Sequence, residues 1–428
     1  MIAQNRAALA GRFPELLEAL ERAPSPGPVA APATPRPTLS VAGLQLASGY
    51  DPEGEAALQA ALVPRDARSA TCYGIGTGFL PRALLARPAL KRLDVVLFHA
   101  GVARAVLAAF DLSGVIGDAR VRLSLARPAD ELCTPFAAAP ACLRLAADEG
   151  ARLRDQIFLE LATPHLARHV ASRAGDFGAR LAENRDLLEG DGDAGALFGA
   201  RPGCVAWVAG AGPTLERQLA RLAARAAGEP LVAVDAALAP LLAAGIAPDY
   251  VVTLDAHREH QLPLFAGDLS RLRATPLVYA PSVHRDVLLC WPGPRFAFYE
   301  RGVRYAGLVR ELPRAVLATS GSVIHPAVDL AVRLGAREVR FAGMDFAHVG
   351  GRSHVSGSHH ARHEPGGGVR AGAWVLDGDG RRVPTLPNLV GYLRDLERYL
   401  ARTKDVRFVN LSRAGARIAG AERAEDAA

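Results

Sequence analysis

Residues 204–222 read CVAWVAGAGPTLERQLARL. A short apolar run leads into Gly210, Ala211, Gly212, Pro213 and Thr214, and apolar residues at helical spacing follow (Leu215, Leu219, Leu222). A run apolar on both faces is what a strand covered on both sides requires, and parallel sheets have such strands. Strand, glycine turn and helix together are half of a βαβ unit. A turn of this kind points unpaired N–H groups of a helix start outward, where they suit a phosphate. Missing Cβ atoms at Gly210 and Gly212 would let that phosphate approach the backbone, and Thr214 would cap the helix or add a hydroxyl. The spacing matches neither the dinucleotide pattern, since position 215 is Leu, nor a P-loop, which needs Lys and a hydroxyl residue at the end.

Further strands are expected at 231–234, 250–254, 277–280, 295–299, 316–318 and 338–342, and a helix at 388–402. Two of the strands end in a carboxylate, Asp235 and Asp255. Ligands of open parallel sheets bind outside strand carboxyl ends, so both are candidates for a ribose, a base amine or a metal, against the alternative of a helix cap. Thr319, Ser320, Gly321 and Ser322 precede another amphipathic helix and form a second hydroxyl-rich anion site. The strand at 338–342 then delivers Asp345. Residues 346–363 hold five of the twelve histidines, at spacings that fit no standard zinc site. Among them His354 is the candidate general base, with His257, His260 and His284 as rivals.

An earlier α/β run begins at SATCYGIGTGFLPRALLAR, continues through LDVVLFHA (93–100), and carries Gly74, Gly76 and Gly78. The expected fold is α/β, with Rossmann-like parallel sheets in two domains, helical connecting segments and a short C-terminal extension. The expected division is a helix and Pro/Ala-rich linker (1–39), an N-terminal Rossmann-like domain (40–150), a helical connector (151–200), a nucleotide-sugar-binding core (201–365) and an extension completing the core (366–428).

With 428 residues, half of them hydrophobic, the chain can bury more than one core. A net charge of +6 on scattered arginines, with no basic tract, argues against nucleic acid and suits a small anionic substrate. Five cysteines form no CxxC pair, and Cys72, Cys204 and Cys290 lie in or beside apolar runs. The expectations are a reducing, cytoplasmic setting and no membrane insertion.

In order and pattern, GAGPTLERQLARL, VAVDAALAPLLAAGIAPDYVVTLD and TSGSVIHPAVDLAVRLGAREVRFAGMDFAHVGGRSHVSG resemble the motility-associated-factor (Maf) flagellin glycosyltransferases. Their core domain also occurs in archaeal 6-hydroxymethylpterin diphosphokinases and is similar to metal-independent CMP-sialic-acid sialyltransferases. The front segment, YGIGTGFLPRALLA onward, and the tail, VLDGDGRRVPTLPNLVGYLRDLERYL onward, are similar to the Maf family as well. The resemblance implies transfer of a nonulosonic (pseudaminic or legionaminic) sugar from its CMP ester to Ser/Thr hydroxyls of flagellin. It implies a cytidine nucleotide at Gly210, Gly212, Pro213, Thr214, Asp235 and Asp255. Thr319, Ser320, Gly321 and Ser322 would lie near the sugar carboxylate or phosphate, and His354 and Asp345 would be catalytic. No cofactor is required, and there is room for Mg²⁺.

The chain departs from these patterns in three places. Asp235 and Asp255 stand where the sialyltransferases have Asn. Residues 383–388, VPTLPN, lack the histidine those enzymes place before the helix. His99-Ala100 replaces the Glu-Pro of the Maf front domain, so its glycine turn is read as structural and the domain as an acceptor-recognition or scaffold unit. The alternatives are pyrophosphate transfer from ATP–Mg²⁺ to a hydroxymethyl-dihydropterin, through Asp235, Asp255 and Asp345, and a non-catalytic nucleotide-sugar binder or flagellar chaperone.

Overall fold

The computed structural model describes residues 1–172, 174–300, 305–360 and 373–424. The chain forms two units, Met1–Leu161 and Ala162–Ala428. Both are Rossmann-like α/β structures with parallel sheets.

The first unit has a four-stranded parallel sheet of β1 (Ser69–Tyr73), β2 (Arg92–Leu97), β3 (Val121–Leu125) and β4 (Phe136–Ala138), in the order β3-β2-β1-β4. Helices α1 (Phe79–Leu85) and α2 (Ala100–Ala109) follow the first two strands. Residues 1–22 belong to this unit. Buried Asn5 donates to Leu107 O and Phe110 O and accepts from the Leu112 amide, so the N-terminal helix is tied down along the chain end of α2. The segment read as a linker pairs Val29–Ala30 with Ser40–Val41 in a small antiparallel sheet. The glycine turn after β1 is filled by its own domain. A Cβ on Gly74 would lie 2.5 Å from Cys142 Cβ, and one on Gly78 would lie 2.2 Å from Leu112 Cδ2. His99 caps α2 by accepting from the Gly101 and Val102 amides. Both details fit a structural turn.

The second unit is built on a nine-stranded sheet in which every strand pair is parallel. Its strands are β5 (Gly192–Asp193), β6 (Val205–Ala209), β7 (Leu231–Val234), β8 (Tyr250–Thr253), β9 (Leu277–Tyr279), β10 (Arg295–Ala297), β11 (Glu338–Ala342), β12 (Arg407–Asn410) and β13 (Glu422–Arg423). The order is β13-β12-β11-β6-β7-β8-β9-β10-β5. The helices that matter for the site are α3 (Leu215–Ala223), α4 (Ile324–Arg333) and α5 (Pro387–Arg402). All five residues of β6 and all four each of β7 and β8 are buried, as runs apolar on both faces predict. Residues 316–317 leave the main sheet and pair with Tyr299–Glu300. The strands β4, β5 and β13 leave no signature in the sequence. The first has three residues and the others two, too few to show a period.

Among the described residues no helix is long and apolar enough to cross a membrane. All five cysteines are free; Cys72 is fully buried in the core of the first unit, whereas Cys290 is exposed.

Candidate active site

The chain leaves β6 toward β7 in one direction and returns to its other side through β11. The crevice between β6 and β11 is therefore the topological switch point. These two strands end level, Ala209 opposite Ala342, so the glycines that follow them meet. The Gly210 amide donates to Ala342 O and the Gly212 amide to Gly343 O, both at 2.8 Å. The Thr214 amide donates to Asp345 Oδ2 (2.8 Å) and its hydroxyl to Oδ1 (2.5 Å). Ser412 Oγ donates to the same Oδ1 at 2.7 Å. A Cβ on Gly212 would lie 2.5 Å from Asp345 Oδ2, and one on Gly210 would lie 2.7 Å from Gly343 O.

The GAGPT turn therefore grips the neighbouring strand's turn. Its glycines are needed for that close approach, and Thr214 spends both donors on Asp345. This corrects the expected phosphate cradle at Gly210, Gly212, Pro213 and Thr214: of the four N–H groups in residues 210–214, Pro213 having none, only that of Ala211 has no partner among the described hydrogen bonds. Asp345 is likewise no exposed catalytic carboxylate. It is 2% exposed, and all three donors around it point inward. Burial pushes its pKa up, against the pull of those hydrogen bonds.

The loop after Asp345 lies across this clasp. The Val355 amide donates to Ala211 O (2.8 Å) and the Ser356 amide to Glu216 Oε1 (2.9 Å). Arg352 grips Glu216 with both terminal nitrogens, at 2.6 and 3.0 Å. This bidentate bond leads the causes that hold the Glu216 carboxyl down at about 2. The clamp's contribution is complete above the ordinary value of 4.5 and is lost as pH falls toward about 2. Glu216→Gln is expected to cost only about 0.5 kcal/mol, as half-exposed pairs do. It should nevertheless speed hydrogen exchange at residues 352–356 at pH 7; unchanged exchange there would contradict the clamp.

The open site lies at the next two strands. Val234 of β7 faces Val252 of β8, so Asp235 sits level with Thr253. Asp235 is 4% exposed. Its Oδ1 accepts from the Ala236 amide (2.7 Å). Its Oδ2 lies 2.8 Å from Thr253 Oγ1 and 2.9 Å from Gln261 Nε2, and Thr253 Oγ1 lies 2.7 Å from Gln261 Oε1. These three contacts close a ring that needs three protons. The Thr hydroxyl supplies one and the Gln amide one, whichever way the amide is turned. A proton on Asp235 would supply the third. Burial, raising its pKa, acts in the same direction. A raised folded-state pKa stabilises at low pH and loses that contribution as pH rises above the ordinary carboxylate range. The stability of the wild type relative to Asp235→Asn should therefore fall as pH is raised from 4.5 to 8, followed by urea denaturation. A flat difference would show Asp235 to be ionised.

Gln261 ends a short helix, Arg258–Gln261, which His257 precedes at the N-cap position and which carries His260. The ring of hydrogen bonds thus anchors that segment to β7 and β8. Beside it Asp255 is about half exposed; it accepts from the His257 amide (3.0 Å) and lies 3.4 Å from His257 Nδ1. Four imidazoles form a chain here. Ring centroids of His257 and His260 are 5.8 Å apart, those of His260 and His360 6.4 Å, and those of His360 and His354 5.6 Å. The structure thus gathers Asp235, Asp255, His257, His260 and His354 at one mouth. His284 instead caps the helix Arg285–Cys290 by accepting from the Asp286 amide.

Gly321 has a left-handed backbone, and a Cβ there would meet the Tyr392 ring of α5 at 3.2 Å. Tyr392 lies within electrostatic reach of Asp255, which with burial raises its pKa. Ser322 Oγ accepts from the Ile324 amide at 3.4 Å. Thr319 and Ser320 line a separate cavity of about 370 Å³ beside Arg398 and Arg402 of α5. The sequence singled out neither His360 nor Tyr392. His360 was one of five histidines with no spacing to rank it, and Tyr392 stands on the inner face of a helix read only for its periodicity. His363 lies outside the described residues.

Among the described residues no group of three His, Cys, Asp or Glu side chains could hold a metal ion. Asp235 and Asp345 turn inward and are satisfied by protein donors, so they do not fit the Mg²⁺ ligand set of the alternative.

A parallel sheet with polar groups gathered at its strand carboxyl ends defines the class: a Rossmann-like α/β domain. The particular relation follows from residues 181–351, which match the family described as 6-hydroxymethylpterin diphosphokinase MptE-like. No curated protein matches the chain. Among solved structures it is similar to a Maf glycosyltransferase from Magnetospirillum magneticum AMB-1, at 14% identity over 98% of this chain and 74% of that one, with a TM-score of 0.43.

Proposed function

We propose that the chain is a glycosyltransferase that moves a nonulosonic sugar, of the pseudaminic or legionaminic type, from its CMP ester to Ser/Thr hydroxyls of a protein acceptor, flagellin being the acceptor the sequence resemblance implies. The observation that carries this is the convergence of four imidazoles with one open carboxylate, Asp255, at the carboxyl ends of β7 and β8. In this reading Asp255 accepts from a ribose hydroxyl or the cytosine amine. The imidazoles supply a base near neutral pH for the acceptor hydroxyl. Departure of CMP from the anomeric carbon leaves oxocarbenium character there, so the group to be deprotonated is the incoming hydroxyl.

The test is incubation with CMP-nonulosonic donors and flagellin, read by intact mass. The expected result is a gain of one or more sugar residues; no gain with any such donor would refute the proposal, and CMP binding without transfer would favour the non-catalytic binder. The family description over 181–351 favours a second reading, diphosphokinase activity on a hydroxymethylpterin. The inward-turned Asp235 and Asp345 weigh against its Mg²⁺ requirement. Thermal shift separates the two: CMP is expected to raise the melting temperature and ATP–Mg²⁺ to leave it unchanged.

A further inference from the structure

We infer that His360 is the group that takes the acceptor hydroxyl's proton, with His354 and His260 as its flanking imidazoles and two clamps, one buried and one partly exposed, holding the array together. This rests on the glycosyl-transfer reading above. Four observations select His360 among the four rings. It stands in the interior of the chain of rings, 5.6 Å from His354 and 6.4 Å from His260 between centroids. His257 is committed to Asp255, whose carboxylate lies 3.4 Å from its Nδ1 and also takes its backbone amide. His354 has Nδ1 3.1 Å from Ser353 Oγ. His260 is exposed, whereas His360 is half-buried at the mouth.

The groups facing His360 are Asp235 from the end of β7, Asp255 from the end of β8, His260 from the helix after β8, and His354 and His359 from its own loop. Burial pushes its pKa down, and His260 and His359 push the same way. Asp255 opposes them. Asp235 opposes them too, to the extent that it is ionised, and burial outweighs both carboxylates. His360 is therefore neutral at pH 7 and free to accept.

In the transfer step the acceptor oxygen bonds to the anomeric carbon and its proton passes to His360. The bond from that carbon to the CMP phosphate breaks, and the electron pair leaves with CMP. The imidazolium then loses its proton outward through the exposed His260 and Asp255. The two arms of the array are positioned separately. Asp235, through Gln261, holds the His257–His260 arm. Glu216, through Arg352, holds the His354–His360 arm.

The experiment compares full-length wild type, His360→Gln, His354→Gln and His260→Gln in the transfer assay from pH 5 to 9, with CMP thermal shift as the control for folding and donor binding. Wild-type kcat/KM should show an acid limb with its midpoint below 6.5. His360→Gln should lose at least 100-fold in kcat, within the range for a general base, keep its CMP shift and lose the acid limb. His354→Gln and His260→Gln should lose less than tenfold and keep the limb. In ¹³C-histidine NMR, a ring resonance titrating below 6.5 should disappear in His360→Gln and move lower in Asp255→Asn. Transfer by His360→Gln within tenfold of wild type, or titration of that resonance at or above 6.5, would overturn the assignment. Absence of transfer in the wild type would instead remove the glycosyl-transfer reading, and the assignment with it.

Discussion

Asp345→Ala is expected to destabilise the second unit by about 4 kcal/mol, measured by urea denaturation at pH 7. The carboxylate accepts from the Thr214 amide, the Thr214 hydroxyl and the Ser412 hydroxyl, and it is almost completely buried. Truncation leaves three buried donors without an acceptor, at ~1–3 kcal/mol each before the hydroxyls reorient. It also opens a void against Gly415, whose Cβ position lies 2.6 Å from Asp345 Oδ1. Ser412→Ala removes only one of the donors and should cost about 1 kcal/mol. A loss no larger for Asp345→Ala than for Ser412→Ala would mean that the carboxylate does not hold the two turns together. If Asp345 instead acted in catalysis alone, its removal would abolish activity with stability unchanged.

Gly343→Ala carries the second large effect. Its φ is +62°, and a Cβ would lie 2.6 Å from Gly210 O and 2.8 Å from Leu215 Cβ. A left-handed backbone costs an L-residue roughly 1–2 kcal/mol. Forcing a methyl against backbone and a packed side chain adds roughly 1–3 kcal/mol, because neither neighbour can swing away. The expected loss is about 4 kcal/mol. Gly350 supplies the control: its φ is +61°, and nothing lies within 4 Å of its Cβ position. Gly350→Ala should cost only the backbone share, about 1 kcal/mol. Equal losses at the two positions would show that the close approach of the two turns contributes nothing.

How far the sequence could be read differs from residue to residue. The strand at 205–209 was legible because an apolar run closed by Gly-Ala-Gly-Pro has few other solutions in an α/β chain. Helix α5 was legible from its period. The role of the glycine turn was not. A glycine needed so that a phosphate can approach and one needed so that another backbone can approach are identical in one dimension. Gly343, which answers Gly210, lies more than a hundred residues away. Asp235 and Asp255 were read alike, each a carboxylate after a strand. They differ because Thr253 and Gln261 close around the first and solvent reaches the second.

The sequence by itself determined the elements and their class: buried apolar runs alternating with amphipathic helices leave a parallel sheet as the way to satisfy the backbone. It also determined that polar groups gather after strand ends, since strand interiors are apolar. Only the tertiary structure decided which of those groups face one another. That depends on strand order and register, which bring Ala209 level with Ala342 and Val234 level with Val252. One register closes the switch-point crevice with Asp345; the other places a buried Asp235 beside an open Asp255 and a chain of imidazoles. Both follow from contacts between residues distant in sequence, whose energies no local pattern records.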